Sequence, residues 1–401
     1  MTDRDPDSCD ASCQAPLVTS RAFVGGDVIV DGVLERADVV VADGRIAAIL
    51  RDRASLPAVE EIVDCLGTVV APGFIDLQCN GAGGIDLTGE PDRLIEVAQV
   101  LPRFGVTAFL PTVVTAPQAA RLGAIETMHR ARSAGHAPTD GAVPLGLHFE
   151  GPAISLDHLG AHTRKYVTVP TAKELDAWIE SGVVALVTVA PEIDGAPEMI
   201  ERLTAAGVVV SAGHTAMSPS DFAAARRAGV SYVTHLFNAM APFNHRSPGP
   251  IGATLADGDV VVGLICDGIH VDPVAVHMAW QSLGPHRLSL VSDAAAPLGA
   301  PYGAFRLGNF EVVHDETGVR TTGGVLAGSA LELDQAVRNL MEFTGCDLLD
   351  AVATVTTTPA AVLGLADRGS IRVGHHADLT VLEPDGHLVA TIIEGTTAWK
   401  S

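Results

Sequence analysis

Ionisable side chains recur along the middle of this chain at the ends of short apolar segments. An apolar run that ends in polar residues is typical of a buried strand whose last side chains face a pocket. The residues concerned are His148, Glu150, His214, His235, Asp267, His270 and Asp293. Glu150, His214 and His235 offer one carboxylate and two imidazoles, a set found in hydrolytic zinc sites that keep one position open for water. The sequence therefore predicts a metal centre.

A general base is the second requirement of such hydrolysis. A bound divalent ion lowers the pKa of water toward neutrality and polarises a substrate carbonyl. Another group must then take the proton from the water and return one to the leaving group. Asp293 ends the eighth apolar run and lies outside the ligand set. We therefore assign the role of base to Asp293.

The stretch "GFIDLQCNGAGG", residues 73–84, argues against a second metal ion. Many metal-dependent amide hydrolases carry His-x-His at such a strand end, because two imidazoles one residue apart point the same way. Here those positions are Gln78 and Asn80, and the run "VALVTVAPE" has no lysine that could bridge two ions. We expect one ion per chain, with Gln78 and Asn80 as neutral groups that hold water or orient ligands, or mark an empty second-metal position.

The elements that must position these residues alternate. Ala-rich helical patterns separate most of the apolar β-branched runs, and one of them, "SPSDFAAARRAG", has a cap at Ser218 and a terminal Gly229. This pattern predicts an α/β fold, a (β/α)₈ TIM-like barrel over residues 73–368. After the sixth run, "APFNHRSPGPIGATLADGD" replaces the regular helix, and a loop of that length is usually functional. The eight runs are "FIDLQCN", "TAFLPTVV", "LGLHFEG", "VALVTVAPE", "VVVSAGH", "YVTHLFNAM", "VVVGLICDG" and "LSLVSDA".

Both ends of the chain have a different texture. Short strand patterns broken by Gly-Asp turns fill residues 18–72 and return in residues 369–401. We expect these two parts to form one small β-sandwich domain. Residues 1–17 are acidic and rich in Ser and Asp, and we expect this leader to be disordered. Cys9 and Cys13 lie in it, without the two further close ligands that a zinc knuckle needs.

Composition excludes several classes of partner. The chain has 25 Lys+Arg against 48 Asp+Glu, a net charge of −23, so it repels nucleic acid and anionic membranes. A phosphate ligand would need a basic pocket built locally. No run of 18 apolar residues occurs, so we expect no membrane span. The six cysteines show no regular spacing, and we expect a cytoplasmic location.

Nine stretches, taken in order, resemble the N-acetylglucosamine-6-phosphate deacetylase family of the amidohydrolase superfamily. The resemblance covers nearly the whole chain, and the ending "TPAAVLGLADRGSIRVGHHADLTVL" is common to the superfamily. It implies hydrolysis of N-acetyl-D-glucosamine 6-phosphate to D-glucosamine 6-phosphate and acetate, in amino-sugar catabolism and cell-wall recycling. The stretches are "PGFIDLQCNGAGG", "LHFEGPAIS", "GAHTRKYV", "VTVAPE", "VSAGHT", "THLFNAMAPFNHRSPGPIGA", "CDGIHVDP", "LVSDAAAP" and "GVLAGSALELDQAVRNL".

The resemblance also implies roles for single residues. Glu150, His214 and His235 match the metal ligands, for which Zn²⁺ or Fe²⁺ is expected, and Asp293 matches the catalytic acid and base. His162 matches a histidine near the substrate carbonyl, and Gln78 with Asn80 matches the single-metal branch. Positions that hold sugar phosphate are matched by Asn238, Ala239, Arg246 and His270, and a substrate-contacting loop by Leu326, Ala327 and Gly328. The family further implies a homodimer in which Arg246 reaches the neighbouring active site.

Three alternatives stay open at this point. The substrate could be N-acetylgalactosamine 6-phosphate, since the two sugars differ at one hydroxyl. A cyclic-amide hydrolase such as a dihydroorotase is disfavoured by the missing His-x-His and bridging lysine. A non-catalytic scaffold on the same barrel is disfavoured by the intact Glu150, His214, His235 and Asp293.

Overall fold

The strands and helices follow the predicted alternation. The structure is a computed structural model that describes residues 20–135, 137 and 141–401, so the predictions for the leader, Cys9 and Cys13 lie outside the described residues. The strands are β1 (Ser20–Val24), β2 (Asp27–Val30), β3 (Val33–Arg36), β4 (Asp38–Ala42), β5 (Arg45–Leu50), β6 (Glu61–Asp64), β7 (Val69–Pro72), β8 (Phe74–Cys79), β9 (Gly81–Ala82), β10 (Ile85–Asp86), β11 (Val106–Val114), β12 (Val143–Pro144), β13 (Leu147–Glu150), β14 (Val184–Val189), β15 (Val209–Ala212), β16 (Val230–Val233), β17 (Val261–Leu264), β18 (Leu288–Leu290), β19 (Gly303–Leu307), β20 (Phe310–Asp315), β21 (Gly318–Thr321), β22 (Leu379–Leu382), β23 (Leu388–Ile393) and β24 (Thr396–Lys400). The helices are α1 (Leu94–Val100), α2 (Gln118–Ala134), α3 (Ala172–Ser181), α4 (Ala196–Ala205), α5 (Pro219–Ala228), α6 (Gly249–Ala256), α7 (Pro273–Leu283), α8 (Leu333–Thr344), α9 (Leu348–Ala353) and α10 (Thr357–Val362).

The barrel consists of eight parallel strands in the order β8, β11, β13, β14, β15, β16, β17 and β18. Each strand overlaps one of the eight apolar runs, with β11 beginning one residue and β16 two residues before its run, so the predicted barrel is confirmed. Strands β8 and β11 are buried along their whole length, as expected for parallel strands covered on both faces. The pairing that closes the barrel between β8 and the end of β18 is limited to one isolated bridge, from Cys79 to Ala294.

Helix α5 shows how local sequence sets an element's limits. The Ser218 hydroxyl accepts a hydrogen bond from the Asp221 N–H, while the Asp221 carboxylate accepts one from the Ser218 N–H. This reciprocal cap begins the helix. Gly229 ends it in the left-handed conformation, with φ of 119°. The predicted cap and terminus are both confirmed.

One expectation about the barrel is wrong. The segment after the sixth run does not replace the helix, because it contains α6, which is 8 residues long. One proline and two glycines hide the helical pattern of "GPIGATLA" from a periodicity analysis, although Pro is tolerated in a first helical turn. The irregular part is therefore limited to the segment between β16 and α6.

Both termini build the predicted β-sandwich. One sheet has the order β5-β4-β1-β6 and the other β24-β23-β22-β7-β2-β3. Side chains from both sheets form a shared core that includes Phe23, Val39, Val70, Leu379 and Ile392. Only residue 73 separates β7 of the sandwich from β8 of the barrel. The boundaries 18–72, 73–368 and 369–401 stay a prediction.

An antiparallel sheet that the sequence analysis did not foresee follows the last barrel strand. Strands β19, β20 and β21 form this meander, which spans residues 303–321. Val312 and Val319 of the meander share an apolar cluster with Leu307, with Val114 at the end of β11 and with Ala327. The meander thus packs against the end of the barrel where the strands terminate. No described helix is both long and apolar enough to cross a membrane.

Candidate active site

A pocket of about 280 Å³ lies at the carboxyl ends of the barrel strands. This is the end at which barrels of this kind carry their active sites. Residues from β13, from the loops after β15, β16, β17 and β18, and from the meander line the pocket. Its polar lining consists of Asn80, Glu150, His162, His214, His235, Asn238, His270, Asp293 and Arg320.

The three predicted metal ligands lie close together. Glu150 Oε1 lies 3.0 Å from His214 Nε2 and 2.8 Å from His235 Nε2. All three side chains are buried, and their ligand atoms lie within 4.8 Å of one another. The remaining nitrogen of His214, Nδ1, lies 3.0 Å from the carbonyl oxygen of His158. Because a carbonyl can only accept, His214 Nδ1 must carry the hydrogen.

The protonation states of His214 and Glu150 favour a bound cation. Burial, together with the nearby His162, lowers the pKa of His214 to about 4, so its ring is neutral and Nε2 carries a lone pair. Burial alone would raise the pKa of Glu150, but the surrounding histidines outweigh burial and hold that pKa well below its ordinary value. A lone pair and a carboxylate therefore face each other at 3.0 Å. A divalent ion between them removes the repulsion, so these residues fit a metal.

Gln78 and Asn80 act on the carboxylates of this site. Gln78 Nε2 donates to Glu150 Oε1 at 3.0 Å and to Asp293 Oδ1 at 3.0 Å. Asn80 Nδ2 donates to the same oxygen of Asp293 at 2.8 Å. The side-chain oxygens of both amides have no partner among the described residues. The two amides therefore orient Asp293 and link it to Glu150.

Asp293 has an environment suited to proton transfer. Burial, followed by the negative charge of Glu150, raises the pKa of Asp293 to about 6. A carboxyl group with a pKa near the working pH can both accept and donate a proton. Its neighbour Ser292 is tied to β8, because the Ser292 hydroxyl donates to Asp76 Oδ2 at 2.5 Å and the Ser292 N–H donates to Asp76 Oδ1 at 3.3 Å. Sequence reasoning missed Asp76, although a carboxylate inside an apolar run was a visible signal.

Backbone conformation is strained at the same residues. His214, His235, Phe237, Ala239 and Asp293 all have positive φ, between 26° and 78°. Among the described residues these are five of eight non-glycine residues with positive φ, a conformation that costs about 1–3 kcal/mol each and clusters at functional sites. The strain supports a functional assignment for the strand ends.

His162 is oriented as a hydrogen-bond donor toward the pocket. Its Nδ1 accepts from the Thr115 N–H at 3.3 Å, so Nε2 carries the hydrogen in the neutral ring. Nε2 lies 3.6 Å from Glu150 Oε2, and the ring centroid is 4.3 Å from that of His214. The Nε2–H group can therefore donate to a carbonyl oxygen bound beside the metal ligands.

Most of the other residues that the sequence implicated also reach the pocket. Asn238, Ala239, His270, Leu326 and Gly328 line it. His270 Nδ1 lies 2.6 Å from Asp267 Oδ2, so Asp267 orients this ring and does not itself line the pocket.

Three implicated residues lie elsewhere. Ala327 is fully buried under the meander, where its N–H donates to the Val319 carbonyl at 3.0 Å. Arg246 lies in an exposed turn and is not among the residues that line the pocket of its own chain. The expectation that His148 faces the pocket is wrong, because His148 is buried in the barrel interior. Its ring nitrogens contact the Leu77 carbonyl at 3.1 Å and the Thr188 hydroxyl at 2.8 Å.

Sequence reasoning also missed part of the lining. Arg320 and Val325 come from the meander and the segment after it, Leu307 from β19, and Val114 from β11. No motif marks them, and the meander itself was not predicted. Arg320 is the notable omission, because it brings a positive charge to the pocket.

The fold and this metal-binding group define a metal-dependent hydrolase of the amidohydrolase class. The chain belongs to the amidohydrolase family, whose sequence profile matches residues 69–398. It is 32% identical over 373 residues to N-acetylglucosamine-6-phosphate deacetylase of Bacillus subtilis (strain 168), covering 92% of this chain and 94% of the relative. It is 36% identical over 340 residues to N-acetylgalactosamine-6-phosphate deacetylase of Shewanella sp. (strain ANA-3), covering 84% of each chain.

A solved structure extends the similarity to three dimensions. The chain superimposes on a mutant N-acetyl-D-glucosamine-6-phosphate deacetylase from Mycobacterium smegmatis, in complex with N-acetyl-D-glucosamine-6-phosphate, with a TM-score of 0.86 and 32% identity. The match covers 95% of this chain and 99% of the other. The resemblance seen in the sequence is confirmed.

Proposed function

We propose that the protein hydrolyses N-acetyl-D-glucosamine 6-phosphate to D-glucosamine 6-phosphate and acetate, as a step of amino-sugar metabolism. The observation that carries the proposal is the buried Glu150, His214 and His235 group with Asp293 held beside it by Gln78. The similarity to deacetylases of this substrate over most of the chain supports it. The expected wider role includes cell-wall recycling.

The side chains of the pocket divide the reaction among them. An ion held by Glu150, His214 and His235 supplies Lewis-acid activation of water and of the acetamide carbonyl when bound. Asp293, oriented by Gln78, takes the proton from the attacking water. His162 donates its Nε2–H to the carbonyl oxygen, on which negative charge develops. The protonated Asp293 then donates to the departing amine nitrogen, which releases glucosamine 6-phosphate and acetate.

One divalent ion per chain, Zn²⁺ or Fe²⁺, is part of the proposal. The imidazole and carboxylate donors suit both metals. Gln78 and Asn80 supply neutral amides where a second ion would need ligands, and their nitrogens are already engaged with Asp293 and Glu150. This engagement supports a single ion.

We also propose a homodimer whose active sites are completed by Arg246 of the neighbouring subunit. Arg246 lies in the irregular segment between β16 and α6, exposed and away from its own pocket. The test mixes Arg246→Ala protein with Asp293→Asn protein under conditions that allow subunit exchange. A heterodimer then holds one site with both groups intact, so at a substrate concentration below the raised KM of Arg246→Ala the activity should rise above that of the two parent proteins. Confirmed exchange without regained activity would place the arginine outside the neighbouring site.

A cytoplasmic location remains part of the proposal. Its support is that Cys65, Cys79, Cys266 and Cys346, the described cysteines, are free of disulfide bonds. Burial raises the pKa of Cys65 to about 11, which keeps that thiol protonated.

The second candidate substrate is N-acetylgalactosamine 6-phosphate, favoured by the 36% identical relative from Shewanella. The decisive experiment measures acetate release from both phosphorylated sugars under the same conditions, with dihydroorotate as a cyclic-amide control. We expect the largest kcat/KM for the gluco compound. A larger kcat/KM for the galacto compound would make N-acetylgalactosamine 6-phosphate the preferred substrate. Absence of acetate release from either sugar would refute both proposed substrates.

A further inference from the structure

Arg320 occupies a defined place at the rim of the active-site pocket. It lies on β21, and side chains alternate between the two faces of a strand. Val319 is buried in the apolar cluster under the meander, so Arg320 projects from the opposite face. Gly318 shares that face, and a Cβ atom at Gly318 would lie 3.5 Å from Ile269 Cγ2. The face that carries Arg320 therefore meets the turn that carries His270.

The charge of Arg320 stands out in this pocket. Among the described residues that line it, Arg320 is the only arginine or lysine, while Glu150 and Asp293 contribute carboxyl groups. The whole chain has a net charge of −23, so bulk electrostatics oppose an anionic ligand. A phosphorylated substrate needs positive charge supplied at the site itself.

The guanidinium group of Arg320 is oriented by one hydrogen bond and keeps further donors unpaired. Its Nη1 donates to the Gly324 carbonyl at 3.0 Å, across the turn that follows β21. Nε and Nη2 have no hydrogen-bond partner in the described part of the chain, although the charge of Arg320 also helps to lower the pKa of Asp315. A planar guanidinium fixed through one nitrogen can offer the others as a fork to two oxygens of one phosphate.

From this placement we propose that Arg320 binds the phosphate of the substrate from within the same subunit as the catalytic Asp293. The proposal rests on the proposed function, because it assumes a phosphorylated amino sugar in this pocket. Each active site then has two arginines of different origin, Arg320 from its own chain and Arg246 from the neighbour.

The first test separates phosphate binding from a structural role of Arg320. Arg320→Ala, Arg320→Lys and the control Arg306→Ala are compared on N-acetylglucosamine 6-phosphate and on unphosphorylated N-acetylglucosamine. Arg306 is an exposed arginine of β19 in the same meander that does not line the pocket, so Arg306→Ala removes the same charge without the contact.

The expected result is a rise in KM for the phosphorylated sugar of about 10- to 100-fold in Arg320→Ala, the effect of losing a charged hydrogen bond. KM and kcat for the unphosphorylated sugar should change far less. Arg320→Lys should recover part of the loss, because it keeps the charge but not the fork. An equal loss on both sugars, or a loss in Arg306→Ala as large as in Arg320→Ala, would overturn the proposal.

A second test asks which subunit supplies Arg320. Arg320→Ala protein is mixed with Asp293→Asn protein under subunit exchange. If Arg320 acts on its own active site, neither site of the heterodimer has both groups, so at a substrate concentration below the raised KM of Arg320→Ala the activity should not rise above that of the two parent proteins. Regained activity would show that Arg320 acts on the neighbouring site and would refute the same-subunit assignment. Wild-type protein and Arg306→Ala report separately on the proposed function, because both should be inactive on this substrate if that function is wrong.

Discussion

Replacing Asp293 by Asn should make the metal-free protein more stable and at the same time inactive. Asp293 is 8% exposed, and burial together with Glu150 raises its pKa to about 6. Its Oδ1 accepts from Gln78 and Asn80, and an asparagine oxygen can keep both hydrogen bonds. The variant therefore removes the buried charge and preserves the contacts.

The magnitude follows from proton linkage. A folded-state pKa of about 6 against an ordinary value of 3.8 is a difference of about 2 pKa units, or about 3 kcal/mol. Because the folded-state pKa is raised, the stability contributed by the protonated carboxyl is lost as the pH rises through about 6. At pH 8 we expect Asp293→Asn to unfold with a free energy up to about 3 kcal/mol higher than wild type, and at pH 5 the gain should fall to about half.

The assay is urea unfolding of chelator-treated protein at both pH values, followed by tryptophan fluorescence. Trp178 is buried and packs against Phe149 with 5.0 Å between ring centroids, so it reports on the barrel. Turnover of the metal-loaded variant should fall by at least ~10²-fold, the usual loss for a general acid–base group. An equal free energy of unfolding for wild type and Asp293→Asn at pH 8 would refute the predicted cost of burying the ionised Asp293 carboxylate. Near wild-type turnover would refute the role of Asp293 as base.

Three further predictions concern the metal, the partner subunit and the core. Protein purified without chelator should contain one tightly bound divalent ion per chain by elemental analysis, and Glu150→Gln should lose it. Two ions at full activity would contradict the single-metal proposal. Arg246→Ala should raise KM for the phosphorylated sugar about 10-fold or more with little change for the unphosphorylated sugar, and equal effects on both would exclude phosphate binding. Gly73→Ala should lower the free energy of unfolding by about 1–3 kcal/mol, because the new Cβ would lie 2.2 Å from the buried Thr107 Oγ1. Unchanged unfolding would show that Thr107 can move aside.

Local sequence determined the elements of the barrel and the chemical types at their ends. Apolar β-branched runs predicted all eight strands, because parallel strands are buried on both faces. Ser218 and Gly229 set the limits of α5, since caps act within one or two turns of the chain. The identity of Glu150, His214 and His235 indicated a metal before any geometry was known.

Tertiary structure decided which of these side chains meet. His148 and Glu150 are two residues apart on β13, so the alternation of a strand puts both on one face. Alternation does not specify how far along the barrel axis each side chain lies. Only the assembled barrel shows that His148 lies in the interior while Glu150 reaches the pocket.

Contacts between distant segments were beyond the reach of sequence patterns. The bond from Ser292 to Asp76 joins residues 216 positions apart, and it holds the strand end that carries Asp293. Arg320 reaches the pocket only because the meander folds back over the end of the barrel. Hydrophobic periodicity in the sequence does not predict such long-range packing. Residue types and short-range spacing determined the chemistry available to this protein. The packing of segments far apart in the chain decided which groups share one pocket, because that packing depends on the whole apolar core and not on any local run.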